Sequence, residues 1–456
     1  MKKNEQFKRI VLFFLSVFII FIQSVVFWKI WIDCYNPYIE RSLFRRGHWV
    51  MILIYVLLLF GFSKLYGAYK VGYLRTMDII FSQILSLIFV NVIMYLQICL
   101  LSLKLVSAVP ITKMTLVQVV NIGLWALLSK VIYSKLYPPR RMLMVFGDRD
   151  PDELVDKMGR RTDKYNICGY IHINKGLKAV EEKIPNYEAV ILCDLPDEIR
   201  NTLVKYCFQV SVRTYVTPKI SDVILMGADS MHLFDTPLLL SRNAGLKFEQ
   251  RFAKRMMDLL ISIPMFIILS PFMLISAVCI KLYDGGPVLY KQERLTLDKK
   301  VFYIYKFRSM RVDSEENGAR LAKKHDDRVT PIGKILRISH FDEIPQLFNI
   351  IKGEMSLVGP RPERPSIAEE YEKELPEFGF RLKAKAGLTG YAQIYGKYST
   401  TPYDKLKLDL YYIEHQTILL DLRLLLMTVK IIFQKENAEG VKSSQVTALT
   451  NKKTDE

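Results

Sequence analysis

The sequence predicts a three-part membrane protein. A four-span α-helical bundle comes first, a central α/β Rossmann-like domain follows, and a mostly α-helical C-terminal domain carries a re-entrant membrane helix. Three observations carry this expectation. Long apolar runs crowd the first 136 residues; short apolar strands alternate with polar helical stretches after Arg141; and a fifth apolar run, broken by proline, lies between basic flanks. Half of the 456 residues are hydrophobic and the mean hydropathy is positive, which is unusual for a soluble protein.

The bundle occupies residues 1–139. Its four runs, 10–32, 49–66, 77–103 and 114–136, are each close to the ~20 residues that cross a bilayer. Trp28, Trp31, Trp49, Tyr66 and Tyr133 stand near their ends, where aromatic rings favour the interface. The first run is too long for a cleaved signal peptide and lacks a small-residue cleavage site. Loop charge gives mixed signals, because Lys2, Lys3, Lys8 and Arg9 precede the first run while Arg41, Arg45 and Arg46 follow it. The basic bulk after residue 136, opening on Arg140 and Arg141, decides the orientation. An even number of spans puts both ends on the cytoplasmic side of the plasma (inner) membrane.

With 64 Lys and Arg against 46 Asp and Glu, the net charge is +18 and calls for an anionic partner. No zinc-type spacing or arginine-rich tract favours nucleic acid, and the bilayer supplies nearer anions. The six cysteines (Cys34, Cys99, Cys168, Cys193, Cys207 and Cys279) form no CxxC and read as reduced structural residues.

In the middle domain, residues 140–245, stretches 142–146, 167–173, 189–193 and 211–216 read as strands, with helices over 152–158 and 196–208. That alternation indicates a small parallel sheet. The first strand runs into Phe146-Gly147-Asp148-Arg149-Asp150-Pro151, with one glycine where a dinucleotide fingerprint has three. Two carboxylates at the expected pyrophosphate position would repel it, so no NAD site is expected.

The fifth apolar run, 259–280, begins the C-terminal domain (246–435). Arg251, Lys254 and Arg255 precede it, Lys281, Lys291 and Arg294 follow it, and Ser270-Pro271 breaks its middle. A re-entrant helix over about 256–281 keeps both basic flanks on one face. Next come Asp284-Gly285-Gly286-Pro287, Tyr305-Lys306-Phe307-Arg308-Ser309-Met310, Ser339-His340-Phe341-Asp342-Glu343-Ile344-Pro345-Gln346 and Gly359-Pro360-Arg361-Pro362. These put an acidic pair among Lys306, Arg308, Arg337 and Arg361. Pro345 is tolerated only in a first turn, so a helix begins near Asp342 and its positive end favours the ionised carboxylates. Such a pair suits Mg²⁺, or one carboxylate attacks phosphorus directly. Taken singly, each residue has a plainer explanation: a helix cap for Asp342 and Glu343, a surface loop for Arg361, an exposed edge strand for Lys306 and Arg308.

Their combination within some sixty residues resembles the bacterial sugar transferase family, the monotopic phosphoglycosyl transferases. The resemblance covers about residues 247–433, and the upstream spans and degenerate Rossmann-like domain resemble the family's large subgroup, as does Asp235-Thr236-Pro237-Leu238-Leu239. It implies a catalytic domain on the cytoplasmic membrane face, with Ser270 and Pro271 as the break in the re-entrant helix. It also implies two-step transfer of a sugar phosphate from a UDP-sugar to polyprenyl phosphate, with release of UMP. Asp342 matches the nucleophile and Glu343 the Mg²⁺ ligand, with Asp342 beside it. Lys306, Arg308, Arg337 and Arg361 are the expected phosphate contacts, and Lys385, before Gly387-Leu388-Thr389-Gly390, stands on the nucleotide side. A homodimer would suit the subgroup. Two departures stand out: Ala386 where the family has proline, and Phe341 where an aliphatic residue is common.

The segment 417–433 is apolar enough to lie on the bilayer or to pack in the core. The polar tail, 436–456, reads as disordered. Two rivals remain. A membrane-anchored NAD-dependent sugar-nucleotide dehydratase or epimerase requires the missing glycine fingerprint. A non-catalytic assembly scaffold gives no reason for acids and bases to converge.

Overall fold

The computed structural model describes residues 3–39, 45–147, 151–241, 245–311, 328–396 and 400–432. Arg41, the loop residues Asp148, Arg149 and Asp150, and the tail 436–456 lie outside them. The chain divides into two compact units, Met1–Thr217 and Pro218–Glu456.

In the first unit, α1 (Lys3–Ile30), α2 (Arg45–Leu65), α3 (Thr76–Ser102) and α4 (Val109–Leu136) form the bundle. Each is long and apolar enough to cross a membrane, and α1 runs on into a single π-turn at Trp31–Tyr35. Their apolar residues pack around Trp31, Tyr55, Leu87 and Met94, with the rings of Phe27 and Tyr55 stacked at 4.3 Å. Amides tie all four helices together. Gln118 Nε2 on α4 donates to the Tyr55 hydroxyl of α2 (2.7 Å) and the Gln23 carbonyl of α1 (3.2 Å), and Asn91 Nδ2 of α3 donates to Gln118 Oε1 (3.0 Å). Where no water competes, amides must satisfy one another in this way.

Past α4 lie β1 (Arg140–Phe146), α5 (Asp152–Gly159), β2 (Tyr165–His172), α6 (Leu177–Lys183), β3 (Ala189–Cys193), α7 (Asp197–Gln209) and β4 (Arg213–Val216). The sheet is parallel throughout, in the order β2-β1-β3-β4. Alternate residues of β1 feed its two faces, Leu143 and Val145 into one core, Met142 and Met144 into the other. Arg161 donates to the carbonyls of Tyr73 (2.8 Å) and Gly72 (3.2 Å), and Lys164 lies 4.4 Å from the Tyr73 ring. The α2–α3 connection is thereby held to the α/β domain at the end of the bundle where α4 emerges.

The second unit opens with α8 (Ile220–Met226) and an antiparallel hairpin of β5 (Asp229–Leu233) and β6 (Thr236–Leu240), all of whose strand residues are exposed. Then comes α9 (Phe248–Asp284), 37 residues with Pro264 and Pro271 inside it. A proline at 271 deprives the Ile267 carbonyl of its usual donor, and Ser270 Oγ donates to that carbonyl at 2.8 Å. Serine before proline therefore keeps the helix bonded through its break. Most large apolar side chains of α9, among them Leu260, Ile267, Ile268, Phe272, Leu274 and Ile275, are exposed, an extent that marks contact with lipid or protein.

Both halves of α9 pack on the domain that follows. That domain comprises β7 (Leu289–Leu295), β8 (Val301–Phe307), α10 (Pro331–Ile338), α11 (Gln346–Lys352), β9 (Ser356–Val358), α12 (Pro365–Glu374), β10 (Gly387–Thr389), α13 (Tyr391–Tyr395), α14 (Pro402–Glu414) and α15 (Ile418–Ile432). Ile261, Phe266 and Leu269 join the core around Leu347 and Ile350, whereas Met273, Ala277 and Ile280 meet Phe307, Leu336 and Phe341. Polar anchors flank the helix as well. Lys254 Nζ pairs with Asp421 of α15 (2.6 Å), Arg255 donates to the Ile350 and Ile351 carbonyls (2.6 and 2.7 Å), and Asp284 pairs with Arg308.

Candidate active site

Asp342 and Glu343 sit in a 3-10 turn, Phe341–Glu343, that leads into α11. His340 enters the turn in the left-handed region (φ 55°), and Pro345 stands at the N-cap of α11. The proline thus marks a helix start, as its missing N–H requires. However, α11 is only seven residues long, and side-chain cations carry the electrostatics here.

Glu343 receives two of them. Lys306 Nζ, from β8, and Arg361 Nη2, from the loop after β9, each donate to Glu343 Oε1 at 2.7 Å; Arg361 Nη1 stands 3.5 Å from Oε2. Burial alone would push the Glu343 carboxyl up, but the charges of Arg361 and Lys306 and their hydrogen bonds hold it well below the usual carboxylate range. Asp342 behaves in the opposite way. Burial, and then the charge of Glu343, push its carboxyl up against the opposing charges of Lys306, Arg337 and His340. The two neighbours therefore differ in electrostatic character: a fixed anion, and a second carboxylate without a comparable clamp among the described residues.

Of the cations predicted to converge, the structure brings Lys306, Arg337 and Arg361 to the acidic pair. Arg337 acts on Asp342 through its charge while its Nε donates to Ser309 Oγ at 2.8 Å. Arg308 has a carboxylate partner of its own. It is buried (8% exposed), pairs with Asp284 in the last turn of α9, and leaves Nη1 without a hydrogen-bond partner among the described residues. Gly286 makes room for that guanidinium, since a Cβ there would collide with it. Lys385 donates to the Gly353 carbonyl (2.8 Å), just past the C-terminus of α11. Ser270 and Pro271 lie at the exposed middle of α9, remote in sequence from the pair.

The two sequence departures have structural accounts. The Ala386 N–H donates to Thr296 Oγ1 (3.1 Å), a bond that proline cannot form. Phe341 packs with Met273, Ala277 and Leu336, joining the acidic turn to the second half of α9.

Among the described residues, no group of three or more His, Cys, Asp or Glu side chains could hold a metal. At this site the described residues offer a cation the Asp342–Glu343 pair. That donor set suits Mg²⁺, which accepts one or two carboxylates and completes its shell with water and substrate phosphate. The residues fit a metal that arrives with a phosphorylated substrate.

Sequence reasoning missed several residues that build this site. Arg381, Asp409, Arg294, Glu363 and Lys405 form a charged layer beneath the Arg361 loop. Lys254 and Tyr412 donate to the Val358 carbonyl ahead of it, and Asp421 accepts from both of them. Buried polar residues in apolar helices, such as Asp421, were the one available signal.

Fold and site define an enzyme-like domain on an apolar helix, with a carboxylate pair set among cations suited to phosphate. Comparison with known proteins agrees. Residues 249–435 match the family of bacterial sugar transferases. The chain is 42% identical over 187 residues to a UDP-N-acetylgalactosamine-undecaprenyl-phosphate N-acetylgalactosaminephosphotransferase of Aeromonas hydrophila (40% of this chain, 44% of the relative). It is 38% identical over 208 residues to a UDP-glucose:undecaprenyl-phosphate glucose-1-phosphate transferase of Klebsiella pneumoniae (44% of this chain, 43% of the relative). A shorter protein of Bacillus subtilis, a putative undecaprenyl-phosphate N-acetylgalactosaminyl 1-phosphate transferase, is 45% identical over 129 residues, 28% of this chain and 72% of its own length. The chain belongs to the bacterial sugar transferase family. The matched stretch spans less than half the length of the Aeromonas and Klebsiella relatives.

Proposed function

We propose that this protein transfers a sugar 1-phosphate from a UDP-sugar to a membrane polyprenyl phosphate, as the first membrane step of exopolysaccharide, capsule or O-antigen synthesis. The observation that carries the reading is the division within the acidic pair: among the described residues, Glu343 is clamped by Lys306 and Arg361 and Asp342 has no such clamp. Family relatives named for this reaction with several different sugars support it.

Asp342 acts as nucleophile. A carboxylate oxygen attacks the β-phosphorus of the UDP-sugar, forming an aspartyl–phosphate bond as the bond between the α–β bridging oxygen and the β-phosphorus breaks. UMP leaves with the electron pair. An oxygen of the polyprenyl phosphate then attacks the same phosphorus and displaces the Asp342 carboxylate, giving polyprenyl-diphospho-sugar. Lys306, Arg337 and Arg361 offset the charge on the phosphate oxygens in both steps. Asp342 and Glu343 would hold Mg²⁺, which when bound withdraws charge from the phosphates.

The anchoring of α9 supports a re-entrant path that returns to one membrane face. Lys254, Arg255 and Asp258, ahead of its apolar middle, bond to Asp421, Ile350 and Leu357, all of which follow it. A helix that crossed the bilayer would separate those partners. Phe341 in turn sets the nucleophile beside α9, where an acceptor phosphate on a lipid chain would arrive.

The test incubates membranes containing the protein with a panel of UDP-sugars, polyprenyl phosphate and Mg²⁺, and identifies the nucleotide released. UMP released with one or more sugars is expected; UDP would show a conventional glycosyltransferase and overturn the reading.

A further inference from the structure

We infer that Arg381 and Arg294 are positioning residues for Arg361, holding its loop from below through main-chain carbonyls. The inference rests on the transferase reading in assigning Arg361 to substrate phosphate. Pro360 and Pro362 flank Arg361 and remove two backbone donors, so this loop can be fixed mainly through its carbonyls.

Four successive carbonyls are bonded. The Gly387 N–H donates to Pro360 (2.9 Å), Arg381 Nη2 to Arg361 (2.8 Å), Arg294 Nη1 to Pro362 (3.0 Å), and the Leu295 N–H to Glu363 (3.0 Å). The outer two donors are backbone and survive any side-chain change. The inner two are guanidinium groups, placed on the residue whose side chain reaches Glu343 and on the next.

Each guanidinium is itself held by a second side-chain oxygen. Arg381, only 2% exposed, donates through Nε to Asp409 Oδ2 at 2.9 Å, and its Nη1 lies 3.5 Å from Glu363. Arg294 Nη2 donates to Gln292 Oε1 at 2.6 Å, and its Nη1 stands 3.8 Å from Glu363, which also pairs with Lys405. A planar fork that serves a side-chain oxygen and a main-chain carbonyl at once is a geometry lysine cannot reproduce, although lysine keeps the charge. These five groups, three cationic and two anionic, also leave net positive charge beneath the loop that meets the phosphates.

Full-length protein in detergent or nanodiscs supports a four-variant cycle: wild type, Arg361→Ala, Arg381→Lys and the double variant. UDP binding is measured without lipid acceptor, and UMP release is measured against UDP-sugar concentration. Arg381→Lys is expected to weaken UDP binding and raise KM by about tenfold, as expected for a displaced positioning group. In the Arg361→Ala background its effect should shrink below about twofold, because the group it positions is gone. Arg294→Lys should behave alike and decides the matter if Arg381→Lys does not fold. Equal losses with and without Arg361, or no loss from either lysine variant, would overturn the inference. A wild type that releases UDP would sink the transferase reading and leave the UDP-binding cycle intact, so the two failures are distinguishable.

Discussion

Asp421→Asn offers a quantitative test of how α9 is attached. Lys254 is 8% exposed and Asp421 1%. The ammonium donates to Asp421 Oδ2 (2.6 Å), the Val358 carbonyl (3.0 Å) and the Tyr412 hydroxyl (3.2 Å), and Tyr412 donates to Asp421 Oδ1 (2.8 Å). Asparagine preserves the shape but removes the charge, leaving a buried ammonium with neutral acceptors only. Breaking one side of a buried pair costs about 3–5 kcal/mol. That is a large share of the roughly 5–15 kcal/mol that holds a domain folded. For a unit of this size the midpoint of thermal unfolding should fall by about 6–20 °C. Lys254→Met combined with Asp421→Leu should cost less than Asp421→Asn alone, since no charge is stranded. The assay is thermal unfolding in detergent micelles. An Asp421→Asn variant within about 1 kcal/mol of wild type, or a double variant costing the sum of the singles, would refute the reasoning.

Three further outcomes are expected. Asp342→Asn should abolish UMP release, whereas Glu343→Gln, which removes the partner of Lys306 and Arg361, should lower it while leaving the fold intact; turnover and circular dichroism check both. Acid should weaken the layer beneath the Arg361 loop. Burial opposes ionisation of Glu363, but Lys405, Arg381 and Arg294 hold its carboxyl at about 2 against an ordinary 4.5. Its stabilisation is therefore complete above about 4.5 and is lost as pH falls from there through about 2, and Glu363→Gln should flatten urea stability across that window. In a cysteine-free background, Arg251→Cys and Lys291→Cys should label from the same membrane face; labelling from opposite faces would replace the re-entrant helix with a span.

How much was legible follows from how each feature is encoded. The bundle, the strands of the middle domain and α9 announce themselves as contiguous apolar runs, but α1 and α9 begin well before theirs, at Lys3 and Phe248, because a polar first turn continues a helix that hydropathy does not register. Asp342, Glu343, Lys306 and Arg361 were legible because each lies in a short motif. Arg381–Asp409 and Lys254–Asp421 were not, because 28 and 167 residues separate the partners and no spacing links them. Lys385 shows a partner that no motif announced, since its ammonium donates to the Gly353 carbonyl just past a seven-residue helix. The 3-10 entry to α11 was also hidden, because Pro345 marks a helix start without saying how the preceding turn is wound.

The central claim is that Asp342 becomes covalently linked to a sugar phosphate. Intact-protein and peptide mass spectrometry after mixing the protein with its UDP-sugar and Mg²⁺, with polyprenyl phosphate omitted, tests it most directly. A sugar-phosphate adduct confined to the peptide bearing Asp342, formed with stoichiometric UMP and removed when polyprenyl phosphate is added, is the predicted result. UMP release that waits for the lipid, or an adduct that persists in Asp342→Asn, would contradict it.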